Sequence, residues 1–232
     1  MEFVQRIRQN KRGLVAAAAA TGALALTATF TLGGFSAAIA NNANAISSAT
    51  IQLEEGSGAT TCYSTGTGSG GTVSAADSSN CGINLLTGTL DQVPGGASLS
   101  TTITLTNVGN HNATVANLVA GACAAAAASD DTNYEGSDTA GFCGKVDVTI
   151  GNNTSGATDK CVYPAQAGAC PALANTYTLA SLAGTTFNAT PLSALNAGAS
   201  ATYVITAGLD STATNADQGL TATIPFTWSI SQ

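Results

Sequence analysis

Apolar and polar side chains alternate with period two in several segments of this chain. Leu99, Thr101, Ile103 and Leu105 fall on one side of an extended segment, and Ser100, Thr102, Thr104 and Thr106 on the other. That pattern predicts a half-buried strand over Leu99–Val108. Asn107-Val108-Gly109-Asn110 supplies turn residues, and Thr114–Ala120 continues as a strand, so the expected unit is a hairpin with one buried face. The same period runs through Lys145–Ile150, with Val146, Val148 and Ile150 inward, and through Ser200–Ala207, where Tyr203 and Ile205 share a face. In Leu220–Ser231 the shared face carries Ala222, Ile224, Phe226, Trp228 and Ile230. Pro225 cannot donate to a ladder, which predicts an edge or a bulge there. Trp228 is expected in the core with its indole N–H bonded.

Ser47–Glu54 also alternates, with Ala49, Ile51 and Leu53 opposite Ser48, Thr50 and Gln52. Ile83–Leu90 is a short apolar stretch, and Tyr177–Leu182 and Thr186–Ala189 read as short strands. Val93-Pro94-Gly95-Gly96 is a turn, because Pro presets φ and Gly tolerates positive φ. Ala124–Ala128 is expected as a helical turn, since Ala is the best helix former. Gly56–Asn80 and Gly151–Pro171 read as Gly/Ser/Thr-rich loops. Roughly eight or nine short strands between turn signals predict an all-β fold, a two-sheet jelly roll or β-sandwich with disulfide-closed loops.

The first forty residues break the pattern. Arg6, Arg8, Lys11 and Arg12 lie within the first twelve, and the chain holds 6 basic residues in all. From Gly13 to Leu53 no side chain is charged, and Leu14–Leu32 is a run of Ala, Leu, Thr and Val. A basic start, an apolar run and a small-residue site make a secretory signal peptide over residues 1–40. Cleavage is expected after Ala37 or after Ala40, leaving residues 41–232 as one β-sandwich domain. The alternative is an uncleaved membrane anchor, since Leu14–Ile39 is long enough to span. Beyond the leader only Lys145 and Lys160 remain as bases, against every acid except Glu2. So acidic a chain excludes nucleic acid and anionic lipid as partners, both of which need basic surface.

Cys62, Cys81, Cys123, Cys143, Cys161 and Cys170 all follow the leader. An even count in an exported chain predicts disulfides. Among the connectivities that six cysteines allow, pairing sequence neighbours gives Cys62–Cys81, Cys123–Cys143 and Cys161–Cys170, each closing one loop. A zinc site is the weaker reading: no CxxC occurs, and His111 is far in sequence from a cysteine pair.

Catalytic motifs are missing. One histidine, His111 in a predicted turn, cannot build H-E-x-x-H, and no G-x-S-x-G elbow occurs. Glu54–Glu55 and Asp130–Asp131 are adjacent acids, which on a strand point to opposite faces. The expectation is a non-enzyme with no catalytic residues and no cofactor. Calcium is the one candidate ligand: Asp131, Asn133 and Glu135 precede Gly136 in a D-x-N-x-E-G order that places oxygens at alternate positions. Phe142 stands where such a loop needs its bidentate Glu, so a solvated acidic loop is the competing reading. Asn112, Asn152, Asn153 and Asn188 begin N-x-[ST] sequons.

Five segments stand in a definite order: Gly33-Gly34-Phe35-Ser36-Ala37, then Ala45–Leu53, the strand and Asn-x-Gly turn of Thr102–Gly109, Leu195–Thr206, and Asn215-Ala216-Asp217-Gln218-Gly219 before the aromatic strand Ile224–Gln232. Together they resemble the TasA/camelysin family of secreted biofilm-matrix fibre proteins. The resemblance implies a jelly-roll subunit, released by signal peptidase, that polymerises with itself outside the cell. It implies that the freed N-terminal segment of one subunit completes the sheet of the next by β-augmentation. Here that donor would be Ala38–Ser48, with Ala38, Ile39 and Ile46 among its anchors, and the mature protein would not engage a membrane. A disordered N-terminus is the plainer reading of the same residues. A monomeric adhesion or carbohydrate-binding module of similar fold is the alternative function, for which Tyr63, Tyr134 and Tyr163 are the loop aromatics available.

Overall fold

The computed structural model describes residues 40–41, 44–45, 50–66, 79, 81, 83, 93–127, 136–154, 160–188 and 192–232. The chain divides into two compact units, Met1–Thr50 and Ile51–Gln232. In the first, β1 (Ala40–Asn41) pairs antiparallel with β2 (Asn44–Ala45). Ala38, Ile39 and Ile46 lie outside the described residues, as do both residues flanking a cut after Ala37.

The second unit is built on an antiparallel six-stranded sheet. Its strands are β3 (Leu53–Ser57), β4 (Thr60–Tyr63), β5 (Leu99–Asn107), β8 (Val146–Asn152), β9 (Lys160–Tyr163) and β11 (Ser200–Leu209). They lie in the order β4-β3-β5-β11-β8-β9. A three-stranded sheet has β6 (Val115–Ala120) between β10 (Thr186–Phe187) and β13 (Phe226–Ser231). A third pairing joins β7 (Ala124–Ala127) to β12 (Leu220–Thr223). The fold is therefore an all-β sandwich with disulfide-closed loops.

Central β11 shows why the sheets stack. Ala201, Tyr203, Ile205 and Ala207 alternate with Ser200, Thr202, Val204 and Thr206, and all four of the first set are buried. They face a core that also holds Ile103, Leu105, Val148, Ile150 and, from the smaller sheet, Ala116, Leu118 and Ala120. Aromatic contacts bridge the two layers: Tyr203 meets Trp228 at 4.9 Å between ring centroids, and Tyr163 meets Phe187 edge-on at 6.0 Å. Each fully buried aliphatic side chain contributes about 1.5–3 kcal/mol of transfer free energy. On the outer face, hydroxyls pair across strands, as in Ser100 with Thr206 and Thr106 with Ser200, both at 2.9 Å.

The predicted Leu99–Ala120 hairpin does not form. β5 pairs with β11 and β3, whereas β6 pairs with β13 and β10, so residues 108–114 carry the chain from one sheet to the other. Alternation specifies a face and leaves the partner open, and the partner is what differs here. Asn107 fixes the crossover. Its side chain is fully buried; Nδ2 donates to His111 O at 2.8 Å and to Leu195 O at 3.1 Å, and Oδ1 accepts from Gly109 N at 3.1 Å. His111 itself is exposed.

Other expectations shift for local reasons. Ala124–Ala127 is a strand and not a helical turn: so few residues cannot repay helix nucleation, while β12 offers a ladder. Tyr177–Leu182 holds a helical turn, α1 (Leu179–Leu182), in place of a strand. Thr178 Oγ1 accepts from Ser181 N and Ser181 Oγ from Thr178 N, a capping box that turns Leu179 and Leu182 together into the core. The predicted loop Gly151–Pro171 contains β9, whose Cys161 and Val162 are fully buried. The first strand of the domain begins at Leu53, and Gln52, expected outward, is buried with Nε2 donating to Thr65 Oγ1 at 2.8 Å. Leu220–Ser231 is two strands in two sheets, broken at Ile224-Pro225, because proline ends the ladder. Gly95, at φ 67°, closes the Val93–Gly96 turn.

The three disulfides join sequence neighbours: Cys62–Cys81, Cys123–Cys143 and Cys161–Cys170. Replacing Asn107 with Ala removes the side-chain partners of Gly109 N, His111 O and Leu195 O, of which Leu195 O keeps Ala113 N at 2.8 Å. We expect Asn107→Ala to lower the unfolding free energy by about 2–4 kcal/mol in urea titration; an unchanged midpoint would mean that water replaces all three bonds.

Candidate functional site: the open edge of the C-terminal strand

A strand at a sheet edge exposes a row of unpaired N–H and C=O groups, and folded proteins guard such edges. The large sheet does so with its disulfide loops. At β9, Cys161 N donates to Gly168 O at 2.9 Å, and Gln166 N donates to Cys161 O at 3.2 Å, so the loop closed by Cys161–Cys170 folds back on the strand. At β4, Cys62 is tied to Cys81, and Ser79 Oγ donates to Tyr63 O. In the small sheet β10 is two residues long, too short to template another strand.

β13 has none of these guards. Among the described residues it pairs with β6 alone, through Phe226↔Ala120, Trp228↔Leu118 and Ile230↔Ala116. Phe-Thr-Trp-Ser-Ile-Ser contains no charge and no proline. Its inward row of Phe226, Trp228 and Ile230 is only half-buried, although alternation predicts a core strand. The indole of Trp228 lies on Tyr203 with planes 31° apart, and its Nε1–H is buried without an acceptor. The expected partner of that N–H is thus missing. The Tyr203 hydroxyl accepts from Ser193 N at 3.4 Å, and burial pushes its pKa up.

The other candidates fall out differently. Tyr163, read as a loop aromatic, is buried in β9, where it packs edge-on against Tyr177 and Phe187 and bonds Ser181 Oγ. Tyr63 is half-buried on β4 opposite Glu54, whose carboxylate raises the Tyr63 pKa through a hydrogen bond. Asp131, Asn133, Glu135 and Tyr134 lie outside the described residues. Gly136, which follows them, is zippered to the turn before β12: its N donates to Gln218 O at 2.7 Å, and a Cβ there would approach Ala216 O to 2.2 Å. Asp217 in that turn accepts from Thr214 through Oδ2, while its Oδ1 is buried and unpaired. Among the described residues no three acid, His or Cys side chains gather as a metal cluster. A shallow hollow of about 240 Å³ over β7 and β12 is lined only by Ala124–Ala127, Thr221 and Thr223. Of the sequons, Asn112, Asn153 and Asn188 are exposed, and Asn152 is buried with its amide bonded to Ser193 and Thr154.

One acid pair was invisible in the sequence. Asp147 on β8 faces Gly208 across the ladder, and Asp210 lies two residues further along, so both carboxylates share the outer face. Both are buried. Asp210 accepts from Thr212 N at 2.6 Å, which with the Thr212 hydroxyl holds its pKa down, and Lys145 nearby helps. Asp147 Oδ1 has no partner; burial, then the charge of Asp210, pushes its pKa up. No periodicity could announce the pair, because its members are brought together by strand register.

No protein-family model matches the chain, and no curated protein matches it. The fold defines its class: a disulfide-stapled β-sandwich in which, among the described residues, β13 is an edge strand paired with β6 alone. Among the described residues no helix is long and apolar enough to cross a membrane.

A raised carboxyl pKa means that the folded protein holds a proton the unfolded chain has released. Stability therefore falls as pH rises from the ordinary aspartate range through the raised value of Asp147. Glu55, also raised by burial, adds to the same slope. Asp147→Asn should flatten the loss of urea midpoint across this range without abolishing it, and an unaltered slope would assign the effect to Glu55.

Proposed function

We propose that this protein is a secreted structural subunit that polymerises into extracellular surface or biofilm-matrix fibres by N-terminal donor-strand insertion. The observation that carries this reading is the bare β13 edge, six residues without a charge and with a half-buried apolar row. Such an edge is a ready template for a further strand, and a soluble monomer has reason to cover it. The resemblance to the TasA/camelysin family supplies the direction of the argument. The basic start and the charge-free run to Leu53 support export and then release by signal peptidase. Disulfides at all six cysteines fit an oxidising compartment.

The donor in this reading is Ala38–Ser48, part of the unit Met1–Thr50. Backbone bonds to the β13 edge would supply affinity, and alternate side chains would cover the half-buried row. Cleavage is the switch, because a segment held in the bilayer cannot reach another subunit. The protein carries no catalytic role in this reading, and it needs no cofactor.

The test is electron microscopy of the purified mature chain beside a version that begins at Ser47. Fibres are expected from the first and dispersed particles from the second. Fibres from both would remove Ala38–Ile46 from the mechanism, and fibres from neither would end the polymer reading.

A further inference from the structure

We propose that residues 170–178 form a pH-gated strap, closed over the outer face of β8 and β11 while the Asp147 carboxyl is neutral and opening when it ionises. Asp147, Thr149 and Gly151 alternate along that face of β8, beside Gly208 of β11 and Asp210 just past its end. The strap lies on this row. A Cβ added to Gly151 would stand 3.6 Å from Cys170 Sγ, and one added to Gly208 would stand 3.0 Å from Leu173 Cδ1. Thr149, between Gly151 and Asp147, is accordingly buried, as are Asp147 and Asp210. The strap is fastened at its ends. Cys161–Cys170 holds one, and the Thr178 cap of α1 holds the other. Beside that second end Val148 N donates to Tyr177 O at 2.7 Å, and Tyr177 N donates to Ala174 O at 2.9 Å. Between the ends Ala172, Ala174, Asn175 and Thr176 are exposed, while Leu173 is set against the sheet.

The closed strap shuts in a carboxyl that it does not satisfy. Asp147 Oδ1 is buried without a partner. The strap brings no charge to it: apart from the bonded Cys170, Tyr177 is its one titratable side chain. Ser98, which also covers Gly208, is neutral. Among the described residues, the charged groups on this face beside Asp147 are Asp210 and Lys145. Lys145 spends its ammonium elsewhere, with Nζ donating to Thr212 Oγ1 at 3.1 Å. An ionised Asp147 under the strap is thus a desolvated charge near a like charge, whereas a neutral one escapes both costs. Opening lets water hydrate the carboxylate, and the released proton passes to water. The closed state holds that proton more tightly than the open one. The opening equilibrium therefore rises by up to about tenfold per pH unit from the ordinary aspartate range to the raised pKa of Asp147, and it is level above that. An open strap takes Tyr177 O away from Val148 N and bares that end of β8.

The experiment is amide hydrogen exchange of the purified protein, disulfides intact, across this pH range, with each rate divided by the intrinsic rate at the same pH. The Val148 and Tyr177 amides should lose protection by about tenfold per pH unit up to the raised value. They should also exchange at least about tenfold faster than amides at the centre of β11, as a local opening requires. Asp147→Asn should abolish the slope at both amides. Asp210→Asn keeps Asp147 and removes the neighbouring charge, so its slope should end at a lower pH; this variant carries the test if Asp147→Asn folds poorly. Exchange of Val148 and Tyr177 in step with the centre of β11 would make the pH effect global. A slope that survives Asp147→Asn, or an end point unmoved by Asp210→Asn, would assign it to other groups. Any of these results overturns the strap.

Discussion

A six-stranded sheet has one face that water must not reach, and the rest of this structure follows from how that face is covered. Strand β11 is paired to β5 over Ser200–Ala207 and to β8 over Tyr203–Leu209, and its inner row of Ala201, Tyr203, Ile205 and Ala207 is buried at the centre of the sheet. Backbone pairing holds the sheet together, and burial of this row is what recruits the second layer. Leu118 of β6, the two leucines of α1 and the ring of Trp228 all converge on the core that this row begins. Interiors pack at crystal-like density, so the small side chains Ala116 and Ala120 beside Leu118 are as much part of the fit as the large ones.

The two layers are unequal, and the inequality creates the functional question. Three strands face six, and the edge of the smaller sheet is where covering stops. Disulfide loops fold back on the edges of the large sheet, while β13 keeps a neutral, alternating face. Covalent staples suit a chain so poor in charge: with 8% charged residues there are few lysines or glutamates to blunt an edge electrostatically.

Individual strands were legible because a half-buried strand writes its face in period two, and Leu99–Asn107 and Ser200–Leu209 have inner rows as the pattern requires. Neighbour pairing of the cysteines was legible because each pair lies close in sequence and closes one short segment. Elements of four residues were not legible. Ala124–Ala127 and Leu179–Leu182 exchange the structures that propensity assigns them, one taking a ladder from β12 and the other a capping box from Thr178. Of the site, the sequence marked Phe226 and Trp228 as core. It missed that they are half-covered, because a pattern tells which way a side chain points and not what lies opposite.

By itself, then, the sequence determined the all-β class, the inward rows and the disulfide partners, each a property of nearby residues. Only the tertiary structure decided which strands are neighbours. That choice separates β5 from β6, splits Leu220–Ser231 between two sheets at Pro225, brings Asp147 beside Asp210, and leaves β13 at an edge. The physical reason is common to all four. Strand pairing is non-local and almost indifferent to side-chain identity, so it is settled by which arrangement buries the most apolar surface across the whole chain.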